Sequence, residues 1–191
     1  MKPRLLALIV LAALSAVPAL AQRSRRSASK AEDTGPVSVM RSAAMRISIA
    51  SDTVGIFEYL STKPKLEQWF PDQAIIEPQL GGKYHFRFND AEGVWSGVVT
   101  EFIRGNTLGY TWMAPNDEYE TNVRFKLSPQ GPETIVELTH SGFTSSAALD
   151  KAVTSWVFFL QNLKSVIEQG TDMRGQQTRQ PPTRPRRRPA A

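Results

Sequence analysis

Residues 134–170 read TIVELTHSGFTSSAALDKAVTSWVFFLQNLKSVIEQG, and the hydrophobic period changes once within them. In the first part Val136, Leu138 and His140 alternate with Glu137 and Thr139. That two-residue period predicts a strand with one buried face. From Ser146 onward Leu149, Val153, Trp156, Phe159, Leu160, Leu163, Val166 and Ile167 recur at spacings of three and four. Asp150, Lys151, Gln161, Lys164 and Glu168 take the other side, and Gly170 supplies the stop. This is one long amphipathic helix, Ser146 to Gln169, whose apolar stripe must be laid on a partner surface.

The residues upstream offer that surface. Tyr84, Phe86 and Phe88 alternate with His85 and Arg87. Leu108, Tyr110 and Trp112 alternate in turn, as do Val123, Phe125 and Leu127. Gly93 to Ile103 reads as a long strand, Ala74 to Glu77 as a short one, and Met45 to Ile49 as another. Arg104-Gly105-Asn106, Pro115-Asn116-Asp117 and Gln130-Gly131-Pro132 are turn sequences. Short turns between successive strands imply an antiparallel meander. Ser51-Asp52 has the chemistry of an N-cap for a helix to about Leu60. Pro64 is expected to start a second helix, Lys65 to Trp69, that stops at Phe70-Pro71. The expected class is α+β: a strand, two short helices, six antiparallel strands, and a long C-terminal helix held by the curved sheet.

Several local motifs point the same way. They are Trp69-Phe70, Gly81-Gly82-Lys83-Tyr84, Gly97 to Glu101 (GVVTE), Leu108 to Trp112 (LGYTW), and Thr134 to Phe143 (TIVELTHSGF). Ser155-Trp156 with Leu160 and Leu163 completes them. In this order they resemble the SRPBCC superfamily, with its helix-grip (START/Bet v-like) fold. The branch they are most similar to is that of activator of Hsp90 ATPase homologues (AHSA1-like). The likeness spans about Met45 to Gln169. It implies a cavity between the concave face of the sheet and the long helix. The fold hosts lipid carriers, cyclases, hormone receptors and co-chaperones, so the resemblance fixes the architecture more tightly than the activity.

The ends differ from the middle. The chain carries 23 Lys+Arg, 18 Asp+Glu, two His and no Cys, a formal net charge of +5. Between Met40 and Arg174 there are 12 basic and 16 acidic side chains. The basic character therefore belongs to the flanks, and no basic nucleic-acid-binding domain is encoded. Lys2 and Arg4 precede the apolar run Leu5 to Val17, and Ala19-Leu20-Ala21 places small residues before Gln22. This is the pattern of a secretory signal peptide over residues 1–21, cleaved after Ala21. It predicts a periplasmic or secreted protein with no membrane span after cleavage. Without Cys there is no lipoprotein anchor, disulfide framework or thiolate nucleophile. Residues 22–39 read as a disordered linker, residues 40–174 as one domain, and residues 175–191 as a disordered Pro/Arg-rich tail. Such a tail can touch an anionic surface, but no aromatic interleaves its Arg, so base stacking is not encoded.

Candidate site residues follow from strand phase. Tyr84, Phe86, Tyr110, Trp112, Phe125 and His140 share the inward face, and Trp156 and Phe159 face them from the helix. Together they could enclose a small hydrophobic molecule, or simply fill a core. His140 is the one candidate general base, though a structural imidazole satisfied by near neighbours is the plainer reading. His85 falls on the outward phase. No metal ligand set and no cofactor motif occurs. Ser27-Ala28-Ser29-Lys30 matches a serine-acylase pattern in letters only. Gly93 to Gly97 has its Ser one place too late for a nucleophile elbow. Binding of a hydrophobic ligand is the leading expectation. A cyclase or hydrolase using His140, and a protein-interaction module, are the alternatives.

Overall fold

The computed structural model describes residues 40–115 and 117–175. The expected signal peptide, the linker and all of the expected tail beyond Gly175 lie outside the described residues. The elements run β1 (Arg41–Ile49), α1 (Thr53–Ser61), α2 (Lys63–Leu66), β2 (Gln73–Ile76), β3 (Lys83–Arg87), β4 (Trp95–Ile103) and β5 (Thr107–Trp112). They continue with β6 (Thr121–Gln130), β7 (Glu133–Phe143) and α3 (Ser146–Gln169).

All seven strands join one antiparallel sheet in the order β1-β7-β6-β5-β4-β3-β2. The meander from β2 to β7 is sequential. The first strand returns to pair with the last, Met45 opposite Leu138 and Ile49 opposite Thr134. This pairing uses β1 as the far edge and leaves α1 and α2 to bridge across to β2. The register places Tyr110 opposite Val123 and Phe125 opposite Leu138, so the inward residues of neighbouring strands meet side by side. The burial of β6 and β7 alternates along most of their length, as their two-residue period requires.

Local chemistry fixes the helix ends. The Asp52 carboxylate accepts from the Val54 and Gly55 N–H groups, each at 2.9 Å, satisfying two free donors of α1. Ser145 caps α3, and Gly170 ends it at φ 66°, a conformation that costs a residue without a Cβ little. Two boundaries differ from expectation. The second helix spans Lys63–Leu66, because Pro64 fits inside a first turn; Glu67 to Phe70 continue only as turns, with Trp69 N–H and Phe70 N–H both donating to Leu66 O. The fourth strand begins at Trp95, because Gly93 sits at φ 97° against Pro115 and cannot extend the ladder.

Candidate functional site: an aromatic cavity under the long helix

The core lies between the sheet and α3, and the two halves of that helix meet it differently. Leu160, Leu163 and Val166, in the C-terminal half, are buried. Ala148, Ala152 and Ser155, in the N-terminal half, are small and leave space. A cavity of about 440 Å³ results there. Its walls come from Phe70 after α2, Phe88 after β3, Trp95 at the start of β4 and Trp112 at the end of β5. His140 and Phe143 of β7, with Trp156 and Phe159 of α3, complete the apolar part. Two loops form the rim, contributing Asp90 from one and Asp117 and Tyr119 from the other; Lys151 stands on the helix side.

The rings hold each other at varied inclinations. Phe70 stacks on Trp156 at 5.0 Å and 24° and meets Phe159 edge-on at 4.9 Å. Phe88 meets Trp95 edge-on at 4.9 Å. Arg174 anchors this cluster from behind, donating to the carbonyls of Glu67, Phe70 and Pro71.

The polar groups in the wall form one directed chain. The Trp156 indole N–H donates to His140 Nδ1 at 2.9 Å. An indole nitrogen is only a donor, so Nδ1 must carry a lone pair and the imidazole proton sits on Nε2. Nε2 is 2.8 Å from Thr121 Oγ1 and donates to it. The Thr121 hydroxyl in turn donates to the Trp112 carbonyl at 3.0 Å. Burial lowers the His140 pKa to about 4, because nothing nearby compensates the charged form. His140 is therefore a neutral imidazole with both nitrogens engaged, which leaves it no lone pair for a general base.

The eight candidate residues divide evenly. Trp112, His140, Trp156 and Phe159 line the cavity. Tyr84, Phe86, Tyr110 and Phe125 are buried in the packed core beside it. Tyr84 donates its hydroxyl to Thr111 O at 2.7 Å, and burial raises its pKa, as it does for Tyr110. His85 is exposed on the outer face. Strand phase did not single out Trp95, Phe143, Tyr119, Asp90, Asp117 or Lys151. Tyr119, an aromatic residue inside an otherwise polar turn, was the readable signal among them. Among the described residues no group of three or more His, Cys, Asp or Glu is arranged to hold a metal. No helix among them is long and apolar enough to cross a membrane.

A seven-stranded antiparallel sheet gripping a C-terminal helix over an aromatic cavity defines a helix-grip protein. Residues 54–168 match the family described as Activator of Hsp90 ATPase homolog 1-like protein, and the chain belongs to that family. Solved structures agree. The Aha1 dimer from Colwellia psychrerythraea is 26% identical, with a TM-score of 0.63 over 69% of this chain and 98% of that one. Protein MLL2253 from Mesorhizobium loti is 23% identical, with a TM-score of 0.62 over 69% of this chain and 99% of that one. CalU16 from Micromonospora echinospora is 21% identical, with a TM-score of 0.60 over 69% and 78%. The last two share the fold alone. No curated protein matches the sequence.

Proposed function

We propose that the protein is an exported binder of a small, largely apolar molecule, held between the sheet and the N-terminal half of α3. The observation that carries the reading is the cavity itself. About 440 Å³ is walled mainly by rings and opens to solvent past a polar rim. Sites for small molecules fall at roughly 300–1,000 Å³ and pair an apolar lining with a few placed polar groups. Export is part of the proposal and rests on residues 1–21. An enzymatic reading centred on His140 is disfavoured, because Trp156 occupies the lone pair a base would need.

The test uses the full chain produced in a bacterial host and recovered from the cell envelope. Its mass should begin at Gln22. The uncharged dye N-phenyl-1-naphthylamine should brighten on binding and saturate at one site. Ala152→Trp, which fills the cavity from the helix side, should abolish that signal while the fold is retained. Dye uptake unchanged by Ala152→Trp would overturn the binding site, and recovery of uncleaved chain in the cytoplasm would overturn export.

A further inference from the structure

The composition of the cavity wall is more selective than "apolar". Among the described residues that line it there is no Leu, Ile, Val or Met. Its large apolar surfaces are rings, among them Phe70, Phe88, Trp95, Trp112, Trp156 and Phe159. A pocket for an alkyl chain needs only volume and dispersion, which branched aliphatic side chains supply well. Aromatic rings differ by their quadrupole, whose negative faces attract cations. Here the ring planes are inclined to one another, Trp112 to Trp156 at 54° and Phe70 to Phe159 at 90°, so they do not form one flat stack.

The rim adds charge of the matching sign. Asp90 and Asp117 both line the mouth and are exposed. Among the described residues neither forms an ion pair within 4 Å. Asp117 keeps its orientation by accepting from the Ala114 N–H at 3.1 Å. Glu92, Glu118 and Glu120 flank them in the same two loops, which contain no Lys or Arg between residues 89–92 and 117–120. Three positive terms oppose this. Arg41 stands opposite Phe143 and donates to Thr144 O beside the first turn of α3, Lys151 contributes one charge offset by its neighbour Asp150, and the N-terminus of α3 contributes about half a charge. Five carboxylates in two loops outweigh all three. The imidazole in the wall is neutral, so it does not repel a cation.

We propose that the ligand of this cavity is an organic cation: an aromatic or compact apolar body bearing a quaternary or protonated ammonium group. The rings receive the body and the charge, and Asp90 with Asp117 draws the cation to the mouth. This assignment rests on the binding function proposed above and narrows it to one ligand class.

Three probes of similar size separate a cation site from a merely apolar one. Phenyltrimethylammonium carries the charge, tert-butylbenzene is its uncharged isostere, and benzenesulfonate has the opposite sign. Titration of the full chain at low salt, followed by tryptophan fluorescence or NMR, should give the cation at least tenfold tighter binding than the isostere, with the anion weakest. D90N combined with D117N should lower that ratio severalfold, with the rings and Glu92, Glu118 and Glu120 keeping the remainder; the amide oxygen that D117N introduces can still accept from the Ala114 N–H. If the uncharged dye and tert-butylbenzene bind but the cation is no tighter, the cation assignment falls and the hydrophobic binder stands. If the dye does not bind either, both fall. Tightest binding of the anion overturns the assignment outright. A preference that survives the double substitution intact overturns the role given to the carboxylates.

Discussion

His140 makes a pH-dependent prediction whose size follows from its burial. The ring is 2% exposed and held neutral between an indole donor and a threonine hydroxyl. In the folded chain its pKa is lowered to about 4, from the ordinary histidine value of 6.5. The unfolded chain therefore binds the extra proton first as pH falls. Stability from this group is complete above the unfolded value, declines as pH drops from about 6.5 toward 4, and stays low below that. The linkage integral gives a loss of about 2 kcal/mol by pH 5 and about 3 kcal/mol by pH 4. Protonation would also set an N–H on Nδ1 against the Trp156 indole N–H, so one hydrogen bond must break.

The perturbation is His140→Gln, which keeps an acceptor for Trp156 and a donor for Thr121 but does not titrate. Urea unfolding followed by tryptophan fluorescence, at pH 7, 6, 5 and 4, measures both proteins. Carboxylates such as Glu67 and Glu168, which hydrogen bonds hold below their usual range, also lose stability in acid. They do so equally in both chains, so the difference isolates His140. Wild type should lead at pH 7, and that lead should shrink by about 3 kcal/mol by pH 4. A difference that stays flat with pH would refute the neutral, doubly bonded imidazole.

Two further predictions concern the frame around the cavity. Gly97→Ala would put a Cβ 2.5 Å from Thr111 O and 2.8 Å from the Tyr84 ring, inside a packed strand pair; thermal unfolding should show a loss of about 1–3 kcal/mol. Arg174→Ala removes the guanidinium that bonds the carbonyls of Glu67, Phe70 and Pro71, and should cost about 1.5–3 kcal/mol in urea. Arg174→Lys should recover little of that, since one ammonium cannot span three carbonyls as a planar fork does.

The strands were legible because a two-residue period leaves no other reading for Tyr84-His85-Phe86 or Val136-Glu137-Leu138. The long helix was legible for the same reason at its own period. Other features depend on contacts that periodicity does not encode. Asn162 is fully buried, yet its polarity does not fit the apolar stripe. It is there because its side chain donates to Trp69 O and accepts from the Met173 N–H, tying the chain after α3 to the turn after α2. The site was half legible. Strand phase gives the inward face but not the distance from that face to the helix. Tyr110 and Trp112 therefore looked alike, though one is packed in the core and the other borders open space.

That distance has its own cause in the helix. The C-terminal half of α3 is pinned to the end of β1: Lys164 Nζ donates to Ser48 O at 2.7 Å, and the Ala50 N–H donates to Glu168 Oε1 at 2.7 Å. Leu160 and Leu163 fill the space beneath it. Toward the N-terminus the side chains at the cavity shrink to Ser155, Ala152 and Ala148, and the Trp156–His140 hydrogen bond ties this half to the sheet. A helix fixed at one end and underfilled at the other must leave its gap at the underfilled end. The gap then opens where the β3–β4 and β5–β6 loops end, and those loops carry the carboxylates. Firm packing and open space thus fall to opposite halves of one helix. Side-chain size at 148, 152 and 155 sets the width of the cavity, while 160, 163 and 166 set how firmly the helix is held.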